Sequence, residues 1–456
     1  MDLLISKMLH QRDAESEPPG PGPLGTLKLH WDFTQDQIGT FRKLKREYGP
    51  VVHFWLGSFE FFMMTEPELI EEVLIRKSQS SHKDRISHEL DELLGRGLLI
   101  SEGKFWRRQR KQIAPALQRR QIAHYADVMV SQTERMATTW EDGERRRFDR
   151  DVMEITLRIV VQTLFDLDIE RRIESVASAI DDAMEYLDEA THSLWRFVPD
   201  VIPSPKRGAF EEARDHLDET IFELIDARRK RDEPGDDLLY HLIEATDDDG
   251  NQMTDRQLRD EVITLFLAGH ETTALAITYA WYLMAENPTV AEKLHEEVDE
   301  VLGDRRAGAE DARRLPYTEA VVKEAMRLYP PAWIIGRQAI EDVEIGPWPI
   351  AKGTQILMPQ CIVHRDERWF EGPDEFRPER WLDGLEDELP RFAYFPFGGG
   401  PRICIGNHFA KMEAILVIAT LAQAFEFENV TEQSLDTYTS ITQRPTHPID
   451  MRVRRR

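Results

Sequence analysis

The stretch from Thr254 to Glu286 limits the fold more than any other part of the chain. It opens with Thr-Asp-Arg-Gln, a capping box pairing Thr254 with Gln257, and closes at Asn287-Pro288. A helix of this length spans on the order of 50 Å, enough to cross a large domain. Val262 to Leu267 is apolar on every face, so the helix should be central and buried. His270 and Glu271 at its middle argue against a membrane span. The segment Ala268-Gly269-His270-Glu271-Thr272 is odd in a core helix. Gly269 costs about 1 kcal/mol against Ala, and a buried Glu271 needs a partner or water. Small residues leave a groove, and an acid beside a hydroxyl can relay protons into it. The plainer alternative is a packing glycine with a surface glutamate. Thr273 reads as structural.

A second stretch, Phe397 to Gly406, sets Cys404 behind Gly398, Gly399 and Gly400 and ahead of an apolar run from His408 to Phe425. The run predicts a helix. Cys404 should therefore sit in a tight turn near a helix N-terminus, where backbone N–H groups and the helix dipole favour a thiolate. The glycines permit turns closed to other residues and a close approach to a flat ligand. Arg402 places a cation nearby. Taken alone, a lone cysteine is more often a small buried hydrophobe. Phe397, Gly400, Arg402, Cys404 and Gly406 together, however, match F-x-x-G-x-R-x-C-x-G. This resembles the haem-binding loop of the cytochrome P450 family, and the resemblance runs from about the first strand to the C-terminus.

That resemblance implies a mainly α fold with small β-sheets, one large body with haem between the long central helix and the cysteine loop. It implies haem b (iron protoporphyrin IX) with Cys404 as the axial iron ligand, a thiolate that favours O–O cleavage. Ala268, Gly269, Glu271 and Thr272 resemble the family's oxygen-activation motif, with Thr272 hydrogen-bonding dioxygen and Glu271 delivering protons. Trp106 and Arg110, four apart in a run of basic residues, would by spacing alone read as a solvated face; the family's W-x-x-x-R pattern assigns them to a haem propionate. Arg337 and Arg402 are assigned there too. Glu324 and Arg327 give an ExxR pair, a weak signal by itself. Phe376 to Trp381 resembles the family's PERF element, and together they imply a buried Glu324–Arg327–Arg380 network holding the cysteine loop.

Residues 1–25 form a lead-in with a proline-rich hinge, Pro18 to Gly25, ahead of a catalytic body over 26–456. A helix is expected from Thr34 to Tyr48, strands over Val51–Leu56 and Phe59–Met64, and a helix from Glu68 to Lys77. Ser81 to Ile100 is irregular and roofs the pocket by resemblance. Phe105 to Gln118 reads as a helix. Residues 121 to 250 read as amphipathic helices with a bend at Pro199, Pro203 and Pro205, flanked by Trp195, Phe197 and Val198 as core or channel lining. Asp247 to Gly250 reads as a solvated turn, and His364-Arg365-Asp366 as a polar, mobile-looking loop. Leu99, Phe266, Trp333, Ile334, Ile335 and Ile441 are the candidate pocket walls.

The formal net charge is -26, from 58 basic and 84 acidic residues, which argues against nucleic-acid binding. With 2 cysteines there is no disulfide framework, and a cytoplasmic location is the default. The apolar stretch of MDLLISKMLHQRD is too short for a membrane anchor, so no integral membrane segment is expected. No flavin or iron–sulfur module is visible, so electrons should come from a separate ferredoxin or flavodoxin with its reductase. Arg107, Arg108, Lys111, Arg119 and Arg120 offer a basic island for it. The expected reaction is monooxygenation by O2 of an apolar substrate: a fatty acid, terpenoid or steroid. The alternatives are a peroxide-driven or isomerising haem-thiolate enzyme, which often lacks the acid–alcohol pair, and a haem gas sensor or ligand carrier without turnover.

Overall fold

The computed structural model describes residues 17–165, 207–231 and 234–456, together with Ala179, Ala183 and Tyr186. The expected bend at Pro199, Pro203 and Pro205, and Trp195, Phe197 and Val198 beside it, lie outside the described residues.

Pro23 opens helix α1 (Pro23–Gln35), where a missing backbone N–H removes nothing the helix would have paired. The helix predicted from Thr34 is two helices, because the chain breaks at Asp36. Its carboxylate accepts from the Gly39 N–H at 2.8 Å and caps α2 (Gln37–Tyr48). Strands β1 (Val51–Leu56) and β2 (Phe59–Met64) form the expected hairpin. The next helix comes one residue earlier than predicted, as an α-turn over Pro67–Glu71 that widens into a π-helical turn over Glu72–Arg76.

Strand β3 (Ser81–Lys83) follows, then α3 (Gly103–Ile113), which gives way to a 3-10 turn around Pro115. Helices α4 (Arg119–Ala137) and α5 (Phe148–Phe165) flank strand β4 (Arg145–Arg147), and α6 is Arg207–Arg229. The long helix α7 (Asp255–Glu286) has its capping box intact, with the Thr254 hydroxyl accepting from the Gln257 N–H and the Gln257 side chain from the Thr254 N–H. Helices α8 (Pro288–Leu302) and α9 (Pro316–Leu328) lead into β5 (Ile335–Ala339), the hairpin β6 (Val343–Ile345) and β7 (Trp348–Ile350), and β8 (Gln355–Met358). After the cysteine loop come α10 (Asn407–Ala424), β9 (Phe425–Asn429), the hairpin β10 (Thr437–Thr439) and β11 (Gln443–Pro445), and β12 (Asp450–Arg455).

The fold is therefore helical with small sheets, as expected. The largest sheet runs β1-β2-β8-β5-β3 and a smaller one β4-β12-β9. Within the first, β3 and β5 set Lys83 opposite Arg337. Helix α7 lies in the core, packed against α5, α9 and α10, with Ile277, Tyr279 and Ala280 sealed from solvent. Among the described residues it is the one helix long and apolar enough to cross a membrane, and 78% of its most apolar window is buried in protein. Its apolar surface is thus consumed by its neighbours.

The segment at His364 differs from its mobile-looking sequence. A short helix over Gln360–Val363 precedes it, and His364 is fully buried, with Nε2 accepting the Phe395 N–H at 3.0 Å. Burial first, and the nearby Arg327 charge second, push its pKa down to about 3, so the ring stays neutral.

Candidate functional site

The cysteine loop is built by backbone constraints before any ligand is considered. Gly398 and Gly400 hold φ of +71° and +66°, conformations that side chains rarely adopt. A Cβ on Gly400 would sit 2.0 Å from the Leu74 carbonyl oxygen, so this glycine answers a close approach of the protein's own backbone. The Cys404 N–H donates to the Phe397 carbonyl at 2.9 Å, and Gly406, two residues on, caps α10. Cys404 is solvent-accessible only where it opens onto a cavity; protein surrounds it otherwise. Burial therefore raises the thiol pKa, against the lowering effect of the Gly406 N–H, Arg110 and Lys83. The helix terminus does not by itself make the thiolate. A metal cation on the sulfur would, since a coordinating thiol loses its proton outright.

The cavity measures about 1940 Å³ and is lined both by Cys404, Phe397 and Gly406 of the cysteine loop and by Ala268, Gly269 and Thr272 of α7. It exceeds the roughly 300–1,000 Å³ of an ordinary ligand pocket, leaving room for a large prosthetic group and a second molecule. Around its edge four cations converge. Arg402 stacks over Trp106 at 4.1 Å, donates to the Ser101 carbonyl at 2.7 Å and pairs with Glu102. Arg110 lies 5.9 Å from the same ring. Arg337 is 7% exposed; burial first, then the Arg402 charge, pull its pKa down to about 10. Lys83 is the fourth, brought down to about 7 by burial and then by Arg337 and Arg402.

This crowding of like charge tests the fit of a haem. Arg402 Nη1 is buried with no partner among the described residues, where Asp84 and Glu102 are the acids that act on the cluster. Two propionates would supply the missing anions and acceptors. The donor set therefore fits the group, with thiolate sulfur on one side and cations at the rim. Lys83 is not singled out by the sequence. No local pattern marks it, because its relevance comes from the register that sets it against Arg337.

On α7, Ala268 is exposed although it lies mid-way along a buried helix, which marks where the cavity opens. Thr272, four residues on, shares its face and donates its hydroxyl to the Ala268 carbonyl at 2.8 Å. Gly269 also lines the cavity, and a Cβ there would come 3.2 Å from Val160 of α5, so it packs as well as clears space. Glu271 is 4% exposed and does have a partner: its Oε1 accepts from Thr442 Oγ1 at 2.6 Å and from Arg444 Nε at 2.5 Å.

Glu324, Arg327 and Arg380 meet as the spacing and the Phe376–Trp381 element suggested. Arg327 Nε and Nη2 reach the two Glu324 oxygens at 2.9 Å, and Arg380 Nε reaches Oε1 at 3.0 Å. Trp381 Nε1 adds a bond to Oε2 at 2.9 Å. The rest of the Arg327 fork donates to the carbonyls of His364, Pro373 and Glu375.

Leu99, Trp333, Ile334, Ile335 and Ile441 line the cavity. Phe266 does not. It is packed in the core at 5% exposure, its ring 5.6 Å from His270. Positions 266 and 268 are about 200° apart around a helix, so one face cannot carry both. The basic island is partly neutralised: Arg108 lies 3.7 Å from Asp247, and Lys111 pairs with Asp248. The acidic turn is thus a partner of α3. Arg119 and Arg120 are exposed and make no ion pair among the described residues.

The family model described as Cytochrome P450 matches residues 18–451. Cyclooctatin synthase of Streptomyces melanosporofaciens is 35% identical over 82% of this chain and 82% of its own length. Pentalenene oxygenase of Streptomyces avermitilis is 29% identical over 88% of this chain and 89% of its own. Among solved structures, a cytochrome P450DA haem domain is similar with a TM-score of 0.87 and 25% identity, covering 97% of this chain and 98% of that one.

Proposed function

The chain belongs to the cytochrome P450 family and is a haem b monooxygenase, and from that premise we propose that it hydroxylates a terpenoid. The haem supplies the oxygen chemistry: one atom of O2 enters a C–H bond and the other leaves as water. The protein supplies the rest. Cys404 Sγ would bind the haem iron, and Lys83, Arg110, Arg337, Arg402 and Trp106 would hold the propionates. Leu99, Ile334, Ile335 and Ile441 keep the substrate end dry. Thr272 offers its hydroxyl at the cavity wall, and Glu271, one residue before it, is the acid through which protons arrive.

The observation that carries this reading is one cavity lined both by Cys404 and by Ala268 and Thr272 of α7. Two relatives that oxidise terpenoids favour that class over fatty acids and steroids. The large apolar volume suits a polycyclic skeleton. Electrons come from a separate ferredoxin or flavodoxin with its reductase, docking by the exposed Arg119 and Arg120. The cytoplasm is the location consistent with two cysteines outside any disulfide and an apolar helix sealed in the core.

The test is optical titration of the purified holoprotein with sesquiterpene hydrocarbons, diterpene alcohols, fatty acids and steroids. Terpenoids are expected to give the haem spin-state shift. A shift with fatty acids or steroids alone would overturn the substrate class. A reduced carbon-monoxide spectrum without the thiolate band would overturn the role of Cys404.

A further inference from the structure

Glu271 is a residue of α7, yet what holds it comes from elsewhere. Both hydrogen bonds to its Oε1 originate in the β10–β11 hairpin, from Thr442 and Arg444, which lie 171 and 173 positions further along the chain. Its Oε2 has no protein partner among the described residues and is not sealed off. Arg444 has Glu271 as its carboxylate partner there, with a side chain only a quarter exposed. The hairpin is itself fixed. Tyr279 donates its hydroxyl to the Gln443 carbonyl at 2.7 Å, Trp333 Nε1 donates to the Ser440 carbonyl at 2.9 Å, and the Gln443 N–H donates to the Pro331 carbonyl at 2.9 Å. Ser440 and Ile441, in the same turn, face the cavity.

We propose that Arg444 and Thr442 are positioning residues for Glu271: they tether one carboxylate oxygen to the hairpin and leave the other toward the cavity beside Thr272. The proton-carrying acid is then set by the hairpin and not by the helix that bears it. This rests on the reading of Glu271 as the proton-delivering acid. Two opposed effects meet at that carboxyl. Burial alone raises its pKa, but the Arg444 charge and hydrogen bond, then the Thr442 hydroxyl, bring it below its ordinary value of 4.5. The other titratable groups acting on this pair are His270 and Tyr279 of α7 and Tyr438 of β10, with Tyr329 stacked on Tyr279 behind them. Among the charges acting on the carboxyl, Arg444 has the largest lowering effect, ahead of His270. With Arg444 gone, desolvation is left as the main influence and the carboxyl should take up a proton.

The test uses Arg444→Met, Arg444→Lys, Thr442→Val and Glu271→Gln in the holoenzyme. The first readout needs no turnover: the infrared carbonyl band of a protonated carboxyl at neutral pH. Arg444→Met is expected to gain such a band, and Arg444→Met with Glu271→Gln to lose it. Arg444→Lys should resemble the parent. The second readout is the rate of substrate-free O2 reduction, driven by NADPH through a plant-type ferredoxin and its reductase, across pH in H2O and D2O. Glu271→Gln and Arg444→Met are expected to slow it roughly tenfold with a larger solvent isotope effect, and Thr442→Val severalfold. Arg444→Met should also move the pH at which the rate changes upward by more than one unit.

No new infrared band in Arg444→Met, or a parental rate and pH profile in both Arg444→Met and Thr442→Val, overturns the positioning role. A parental rate in Glu271→Gln overturns instead the reading of Glu271 as the acid, and the infrared arm then decides the tether alone. Thr442→Val, which keeps the ion pair, guards against loss of folding in the arginine variants.

Discussion

Two buried acids, Glu324 and Glu271, stand at 0% and 4% exposure and are handled in opposite ways. Glu324 is closed on every side. Its two oxygens take bonds from Arg327, Arg380, Trp381 and the Arg377 N–H, and Arg327 spends its whole fork on neighbours. Glu271 has one oxygen engaged and one without a protein partner among the described residues. Equal burial therefore does not mean an equal role. A fully satisfied charge cluster locks geometry, because each partner depends on the others. A half-satisfied acid beside a cavity keeps capacity for chemistry at some cost in stability.

Breaking the first acid should have the largest effect. Glu324→Ala strands Arg327 and Arg380 in the interior, and a loss of about 3–5 kcal/mol with failure to retain haem is expected. Denaturant unfolding and haem content measure it; a midpoint near the parent's would erase the contrast. Glu271→Ala should cost only about 1 kcal/mol, since the released Arg444 can reach water, while turnover falls far more than stability does.

Glu261 supplies an intermediate case. It is fully buried on α7; Oε2 accepts the Leu98 N–H at 3.0 Å, and burial foremost raises its pKa from an ordinary 4.5 to about 8. The folded chain thus holds a proton that the unfolded chain releases. Stability from this group is full below about pH 4.5 and is lost as pH rises toward about 8. Glu261→Gln should flatten the slope of unfolding free energy in that window; an unchanged slope would place the titration elsewhere. Smallest is the exposed edge. Arg119→Glu with Arg120→Glu should leave stability within ~0.5 kcal/mol while slowing reduction by an acidic carrier at low salt. Equal reduction rates would move docking to another face.

The parts legible in the sequence are those whose partners lie close along the chain. The Thr254 capping box, the Glu324–Arg327 pair and the Phe397–Gly406 loop are short patterns with a mechanism at fixed spacing. The splitting of the first predicted helix was present as well, in an aspartate three residues before Gly39, but hidden by helix-forming neighbours. Lys83 against Arg337, Thr442 and Arg444 against Glu271, and Asp247 against Arg108 were not legible, since nothing local in the sequence distinguishes these residues from other polar and charged side chains. Phe266 failed for another reason: apolarity says that a side chain is buried, not which helical face the cavity touches.

The amino-acid order alone determined that the long helix must be central, that Cys404 closes a glycine turn ahead of a helix, and that Glu324 and Arg327 share one face. Short-range geometry and hydrophobic burial fix those outcomes wherever the remaining chain goes. Only the tertiary structure decided which cations crowd the cavity rim, which acid is closed and which keeps an open oxygen. Those charges owe their behaviour to burial beside one another, and burial is a property of the packed molecule, absent until strands and helices far apart in sequence are brought together.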